Sequence, residues 1–431
     1  MKLGCYSNKL AKLAIFLFIL LMSAAAAVFA QKAGPRQEKL LNGLKVLMWN
    51  VPKSDKVTVK IRVHSGSAFD PQQKEGVMRL LADNIFPTES AKEFFTEELD
   101  GSLEVVSNYD YIQITASAKS EHLLDVLQTL ASAVANPVIE KETTARLRAA
   151  LAERVRALDK DPVYVADMAA ASRLYGTFPY GRRQMGTAES VQRIDFADLI
   201  AVKERFFTAD NATVTLTGNY NSDLGYRAIR RYFGAWLKSD KKVPSTFRHP
   251  DDPDTKPLVI AGPAFGAVEA RYALRGLARS DKDFAASEIL TRIARARWEE
   301  GRPGADSFTA RQESHILPGH ILFGMTLISQ SPDGKIDKTP DPKIPGSLIP
   351  QNISEAEFAK AKADAVAEIT ARDLQDRWLD VDTFKGLPVD NETAAYQDTT
   401  IADVRRVAER LAKNPVVTVW FTTPPELPTA N

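Results

Sequence analysis

The fold prediction starts from three consecutive segments, Val57-Thr-Val-Lys-Ile-Arg-Val63, Ser65-Gly-Ser-Ala-Phe-Asp-Pro71 and Gly76-Val-Met-Arg-Leu-Leu-Ala-Asp-Asn-Ile-Phe86. In the first segment apolar and polar residues alternate, and this pattern predicts a half-buried strand. The second segment has the small residues and the proline of a turn. The third segment carries the apolar periodicity of a helix. The sequence therefore predicts a strand, a turn and a helix in succession.

The same mixture of elements continues on both sides of this stretch. In the first half, strands are predicted at 45–51, 57–63, 103–106, 111–116 and 212–218, and helices at 76–86, 121–134 and 141–158. In the second half, strands are predicted at 268–274, 320–328 and 416–421, and helices at 282–298, 354–378 and 401–412. This order predicts an α+β protein with two homologous-type α/β sandwich domains. Each domain is expected to have a mostly antiparallel sheet with helices packed on one face.

Composition shifts give the expected domain boundaries. Residues 31–238 form the predicted N-terminal domain and residues 258–431 the predicted C-terminal domain. Between them, residues 239–257 contain four prolines and many charges, which is typical of an extended surface linker. A second proline-rich stretch, 331–353, is predicted to be a long loop.

Residues 1–30 have the layout of a secretory signal peptide. Lys2, Lys9 and Lys12 precede an apolar run at 13–22, and small residues lead to Ala30. The run is shorter than the roughly 20 residues of a spanning helix, so an uncleaved anchor is the weaker alternative. We therefore predict an exported protein, periplasmic or extracellular, with membrane contact only through an uncleaved signal segment.

Composition restricts the possible partners and chemistry. Removal of the signal segment lowers the basic count from 56 to 53, against 55 acidic residues, and no long basic run is present. This balance argues against nucleic acid as a partner. The only cysteine is Cys5, so the predicted mature chain has no thiol for a disulfide, a nucleophile or a zinc ligand.

Ordered landmarks along the first half carry a family resemblance. They are Gly43-Leu-Lys-Val-Leu, the turn at 65–71, Asn136-Pro137, Phe178-Pro-Tyr-Gly-Arg-Arg-Gln-Met-Gly-Thr187 and Phe206-Phe-Thr-Ala-Asp-Asn-Ala-Thr-Val-Thr-Leu-Thr-Gly218. In this order they resemble the N-terminal domain of the insulinase/pitrilysin family of zinc peptidases, which includes the mitochondrial processing peptidase. The second half resembles the family's next domain more weakly, through Leu387-Pro388 and the helix and strand at 401–421.

The resemblance also shows which zinc-site residues are missing. The family holds zinc with an inverted His-x-x-Glu-His motif, in which two histidines share a helix face and the glutamate acts as general base. The positions that match the motif are Arg79, Ala82 and Asp83. A guanidinium is always charged and cannot ligate zinc, and alanine cannot move a proton. The family's distant glutamate falls at Arg154, with Glu153 beside it.

Two further interpretations concern charged and imidazole side chains. Arg79 and Asp83 lie four residues apart, so we predict an ion pair across one helical turn, with Arg79 in the place of the metal's charge; two solvated charges are the alternative.

The five histidines are His64, His122, His249, His315 and His320. None pairs at helical spacing, and His315 and His320 flank a turn with only Glu313 nearby as an acid. Packing or exposure is the favoured interpretation of these histidines over a metal site.

Arg297 is the remaining candidate. The resemblance implies that an arginine near this position helps to grip substrate, together with a tyrosine that falls near Ser307-Phe308, where no tyrosine occurs. A solvated Arg297 beside a packed Trp298 is therefore the favoured alternative.

The resemblance implies a function because family members often work in pairs. We predict a non-catalytic partner subunit of an active zinc-peptidase homologue, forming a heterodimer that encloses peptide substrates and is inactive alone. No catalytic or metal-binding residue is assigned to this chain, and zinc is expected only in the partner. The alternatives are an active metallopeptidase with a rearranged site at Asp83 and Glu153, and a structural or binding module of a larger complex.

Overall fold

The computed structural model describes residues 34–239, 247–262, 267–300, 307–328 and 348–422. The predicted signal peptide therefore lies outside the described residues. So do residues 240–246 of the predicted linker and residues 331–347 of the predicted long loop.

The first sheet has six strands in the order β1-β2-β6-β3-β5-β4. The strands are β1 Arg36–Lys39, β2 Lys45–Asn50, β3 Lys56–Val63, β4 Ser102–Ser107, β5 Ile112–Lys119 and β6 Ala212–Gly218. β2 and β6 pair in parallel, and the other neighbours pair antiparallel. β3 lies inside this sheet, between β6 and β5.

The second sheet has five strands in the order β7-β11-β8-β10-β9. They are β7 Leu258–Ala261, β8 Ala267–Arg275, β9 Ser307–Glu313, β10 His320–Ile328 and β11 Val416–Thr422. Only β7 and β11 pair in parallel among these described strands. The α+β class with two mostly antiparallel sheets, predicted from sequence, is confirmed.

Thirteen helices are present in the described part of the chain. They are α1 Val77–Ile85, α2 Ser90–Glu93, α3 Leu123–Ala135, α4 Lys141–Leu158, α5 Pro162–Tyr175, α6 Ala188–Gln192, α7 Phe196–Phe206, α8 Ser222–Phe233, α9 Phe284–Glu300, α10 Glu355–Ala371, α11 Leu374–Phe384, α12 Val389–Asp398 and α13 Ile401–Leu411. Short helical turns occupy Ser67–Phe69, Phe94–Glu98, Ser120–His122, Pro179–Gly181 and Ala209–Asn211.

Each sheet buries one face under helices of its own half. On β3, the alternating residues Val57, Val59, Ile61 and Val63 are all at most 1% exposed, and they belong to the core that α1, α3, α4, α7 and α8 complete. The second core is built in the same way from β8 and β10 with α9, α10 and α13. Period-two alternation in the strands and period-3.6 stripes in the helices therefore meet in two separate cores.

The opposite face of each sheet is covered by a helix from the other half. α5 packs on β8 and β11 of the second sheet, and α11 contacts β6 of the first sheet. The prediction that β3 is only half buried is therefore wrong, because α11 also covers its polar face. Lys60 and Arg62 on that face are 7% and 1% exposed.

The predicted single helix at 354–378 is also wrong, since the chain breaks it into α10 and α11. Arg372 adopts an extended conformation after α10. The Asp373 side chain then accepts a hydrogen bond from Asp376 N and starts α11 as its N-cap. This cap redirects the chain onto the first sheet.

Candidate functional site

Helix α1 contains the positions that match the zinc motif. Its start is fixed by Asp70, whose carboxylate accepts hydrogen bonds from Gly76 N at 2.7 Å and Met78 N at 3.0 Å. Burial raises the pKa of Asp70 to about 8. Gly76 has φ +99°, and a Cβ there would lie 2.6 Å from Met185 O, so only glycine fits this turn.

Most of α1 is buried in the first core. The buried residues are Val77, Met78, Leu80, Leu81, Ala82, Asn84 and Ile85. Arg79 and Asp83 lie on the remaining face, with side chains 21% and 17% exposed. The helix therefore keeps a packed position in the fold even though the residues at the motif positions differ from the family's.

Arg79 and Asp83 form the ion pair that the sequence predicts, with Arg79 Nη2 2.8 Å from Asp83 Oδ1. Arg79 Nε is buried and has no hydrogen-bond partner in the described part of the chain. Ala82, at the general-base position, is 2% exposed. This donor set does not fit zinc, because the one carboxylate already faces a guanidinium and neither neighbour can ligate a metal.

Helix α4 carries the position of the family's distant glutamate. Leu151, Ala152 and Val155 face the core, whereas Arg154 and Glu153 are exposed. Glu153 pairs with Arg156 on its own helix. Within the described ranges, no group of three or more histidine, aspartate or glutamate side chains could hold a metal ion.

A buried polar pair, which the sequence did not predict, joins α1 and α4. Thr144 Oγ1 donates to Asn84 Oδ1 at 3.1 Å, and Asn84 Nδ2 donates to Leu80 O at 2.8 Å. Both side chains are buried. Their spacing of 60 residues gives no local signal, so only the folded arrangement identifies the pair.

Strand β4 forms an edge of the first sheet and contacts α1. Asn108 N donates to Tyr111 O where β4 meets β5. In an antiparallel ladder, hydrogen-bonded and non-bonded pairs alternate, so the main-chain groups of Leu103, Val105 and Ser107 point away from β5. Ser107 O accepts from the Gln184 side chain, which leaves the groups of Leu103 and Val105 at the open edge.

His315 lies at the seam between the two halves, where it pairs with a carboxylate. His315 Nδ1 and Asp110 Oδ2 are hydrogen-bonded at 2.8 Å, and Tyr180 Oη donates to Asp110 Oδ1 at 3.0 Å. The Tyr180 and His315 rings stack with centroids 4.1 Å apart. The acidic partner of His315 is therefore Asp110, 205 residues away in the sequence, and not the nearby Glu313.

The remaining buried histidines are held in their neutral form. His64 is hydrogen-bonded to Thr383 Oγ1 and to Thr213 Oγ1, each at 3.0 Å, and burial lowers its pKa to about 3. Burial also lowers the pKa of His320 to about 4. His122 and His249 lie in exposed settings on the surface.

Arg297 is used within its own domain. Its Nε and Nη2 bind the two carboxylate oxygens of Glu357 at 2.6 and 3.0 Å. Glu357 completes the N-terminal capping box of α10 with Ser354, and these hydrogen bonds lower the pKa of Glu357 to about 2. Trp298 Nε1 donates to Gly324 O. Trp298 packs as the alternative predicts, whereas Arg297 is paired with Glu357 and is not merely solvated.

The part of the chain that contains α1 and α4 is similar in sequence to known peptidases. The sequence profile of insulinase (peptidase family M16) matches residues 45–188, which include α1 and α4. An uncharacterized zinc protease of Rickettsia felis is 22% identical over 208 residues, covering 47% of this chain and 50% of that protein. The beta subunit of the mitochondrial-processing peptidase of Saccharomyces cerevisiae is 21% identical over 224 residues, covering 51% and 48%. The chain thus matches about half the length of these relatives.

Solved structures share the whole fold. A protease from Helicobacter pylori superposes with a TM-score of 0.79 at 16% identity, covering 91% of this chain and all of that one. A peptidase M16 inactive domain from Pseudomonas fluorescens superposes with a TM-score of 0.76 at 17% identity, covering 91% and 98%. At these identities the likeness concerns the fold alone.

None of the helices in the described ranges combines the length and the apolar composition of a transmembrane segment.

Proposed function

We propose that the chain is a non-catalytic member of the insulinase family (peptidase family M16), whose profile matches residues 45–188, and that it pairs with an active, zinc-bearing homologue. In that pair it would help to enclose the peptide that the homologue cleaves. The sequence match spans about half the length of the curated relatives, so the pairing and the enclosed peptide are proposals for this chain.

One observation carries the proposal: α1 is intact as a packed helix, while the residues at its motif positions do not suit zinc. The ion pair of Arg79 with Asp83 puts a permanent cation beside the carboxylate, and Ala82 has no group that could take a proton from water. The helix keeps its place through its buried apolar residues, so the sheet beside it, including the edge strand β4, stays formed without a metal.

The open edge of β4 gives that role a physical basis. An extended peptide could add to the sheet through the main-chain groups of Leu103 and Val105, in the manner of strand addition. Side chains 102, 104 and 106 are exposed on β4 and would alternate with those of the peptide. Such pairing needs no metal, so it survives the loss of the zinc ligands.

The decisive experiment mixes this chain with a His-x-x-Glu-His homologue from the same genome. Cleavage of a quenched fluorescent peptide is measured for each chain alone and for the mixture. We expect the chain alone to be inactive and the mixture to exceed the homologue alone. A matched control replaces the homologue's general-base glutamate with glutamine, which should abolish cleavage by the mixture. Cleavage by this chain alone, or no gain in the mixture, contradicts the proposal.

We propose that the pair works outside the cytoplasm, as the layout of residues 1–30 predicts. Fractionation of cells that express the full chain with a C-terminal tag should place a shortened form in the periplasm or the medium. Full-length chain in the cytoplasmic fraction would contradict this localisation.

A further inference from the structure

A polar cavity of about 330 Å³ lies at the seam between the two domains. The tip of the β4–β5 hairpin contributes to it from the first domain, and α9, β9, α10, α11 and α12 contribute from the second. Its hydrogen-bond donors include Asn108, Tyr111, Arg279, Arg292, Gln312 and Arg372. We call this space the seam cavity.

One carboxylate at the seam cavity is shared by two arginines. Asp380 Oδ1 accepts from Arg62 Nη1 at 2.7 Å, and Asp380 Oδ2 accepts from Arg372 Nη2. Both oxygens of Asp380 are therefore occupied by Nη donors. In the described part of the chain, Arg372 Nε and Nη1 have no hydrogen-bond acceptor.

A second carboxylate next to the cavity is shared in the same way. Glu392 Oε1 accepts from Arg279 Nη2 and Glu392 Oε2 accepts from Arg377 Nε at 3.2 Å. The Arg279 guanidinium lies over the Phe284 ring, 4.4 Å from its centroid. Across the described ranges, Nε and Nη1 of Arg279 also have no acceptor. Two carboxylates thus serve four guanidinium groups.

The remaining groups of the cavity include acceptors as well as, among the described residues, one unpartnered donor. Glu288 and Glu368 both pair with Arg292, at 3.1 and 2.6 Å. Gln312 Oε1 accepts from Ser287 Oγ, but Gln312 Nε2 is buried without a partner in the part of the chain described by the structure. Burial raises the pKa of Glu288, which pairs with Arg292. A raised pKa weakens the negative charge that Glu288 contributes. An unpartnered buried amide is costly, and an acceptor brought by a ligand would satisfy it.

We infer that the seam cavity is a binding site for a carboxylate group. A carboxylate only accepts hydrogen bonds and has two oxygens with about four lone-pair sites, so one such group can accept from several of these N–H donors at once. The identification of its carrier as the peptide that the pair encloses rests on the proposed function. The carboxylate would be either the C-terminus of that peptide or an aspartate or glutamate side chain.

The sharing of carboxylates leaves each acid with one partner after a single arginine substitution, and thermal unfolding of each variant checks that the fold is kept. Arg372→Gln leaves Asp380 paired with Arg62, and Arg279→Gln leaves Glu392 paired with Arg377. Gln312→Glu keeps the shape of the side chain but puts a negative charge where the buried amide donor lies. Arg295→Gln is the matched control, because Arg295 lies on α9, is exposed and pairs only with Glu299 among the described residues.

The experiment measures binding of peptides to the purified chain alone by fluorescence anisotropy. Three labelled peptides of one otherwise uncharged sequence are compared: the free acid, the C-terminal amide, and the amide with one internal glutamate. We expect the free acid, the glutamate peptide or both to bind at least about tenfold more tightly than the plain amide. The tighter probe identifies the source of the carboxylate.

The variants then locate the binding. Arg279→Gln, Arg372→Gln and Gln312→Glu should each weaken carboxylate-dependent binding roughly tenfold, whereas Arg295→Gln should not change it. Equal binding of the three peptides, absence of binding, or equal affinities of cavity and control variants would overturn the inference. Because the homologue is absent, failure here leaves the proposed pairing to its own test in the mixture.

Discussion

Helices α1 and α11 both carry ion pairs, but they use them differently. On α1, Arg79 and Asp83 pair within one helix and remain about one fifth exposed. On α11, Asp376 and Asp380 pair across the domain seam with Lys60 and Arg62 of β3. A pair within a helix contributes tenths of a kcal/mol, whereas loss of one partner of a buried pair is far more destabilising.

This difference explains how the chain can keep the fold without the motif. The seam between the sheet and α11 depends on buried charges that cannot be exchanged singly. Helix α1 is instead held in place by the burial of Ala82 and its neighbouring apolar residues, so it does not depend on the charged residues at its motif positions. We therefore expect substitutions at the motif positions to cost little stability and substitutions of the buried seam charges to cost much more.

The largest expected effect comes from Arg62→Met. Arg62 is 1% exposed, donates to Asp380, and lies 3.9 Å from the centroid of the Tyr111 ring. We expect the free energy of unfolding, measured by urea denaturation, to fall by about 3 kcal/mol. Arg36→Met is the control, since Arg36 forms surface ion pairs with Glu38 and Asp223 and its loss should change the stability far less. Equal losses would remove the distinction between seam and surface.

A pH dependence sharpens the same comparison. The pKa of His64, at the seam, is lowered to about 3, so between pH 6.5 and pH 3 the unfolded chain binds a proton that the folded chain does not. Stability contributed by neutral His64 is therefore present above pH 6.5 and lost as the pH falls, by up to about 1.4 kcal/mol per pH unit. His64→Gln should flatten the curve of unfolding free energy against pH from 6.5 to 4. An unchanged slope would show that His64 is not held neutral.

The smallest effect is expected on α1. A double-mutant cycle with Arg79→Ala and Asp83→Ala should give a coupling energy of roughly 0.3–0.5 kcal/mol from thermal or urea unfolding. This value follows from a partly exposed pair one helical turn apart. A coupling energy near zero would mean that the two charges are merely solvated, and one above about 2 kcal/mol would mean that α1 depends on them.

Local periodicity predicted much of the fold. β6, α4 and β10 have the bounds that the sequence predicts, and β3 differs by one residue. The break between α10 and α11 was missed because good helix-forming residues lie on both sides of Arg372 and Asp373, and the capping geometry of Asp373 became visible only in the structure. The covering of each sheet by a helix from the other half is a tertiary effect without a local signal.

For the candidate site, the resemblance placed Arg79, Ala82 and Asp83 on one helix, and their spacing predicted the ion pair. It did not predict what joins the two domains. Asp110 and His315 meet across the seam although they are 205 residues apart, and Tyr180 comes to them from a third segment. Residue type and neighbouring sequence cannot predict this contact, because the burial of each side chain and the identity of its hydrogen-bond partner depend on how the two domains pack.

We propose that this chain binds no zinc of its own, because the residues at its motif positions do not suit the metal. The most direct test is the zinc content of the purified mature chain, measured by plasma mass spectrometry after incubation with zinc and removal of free metal, beside a His-x-x-Glu-His homologue treated identically. The account predicts far less than about 0.1 zinc per chain here and close to one in the homologue, since a motif helix with arginine and alanine lacks the required donors. About one tightly bound zinc per chain of this protein would contradict it.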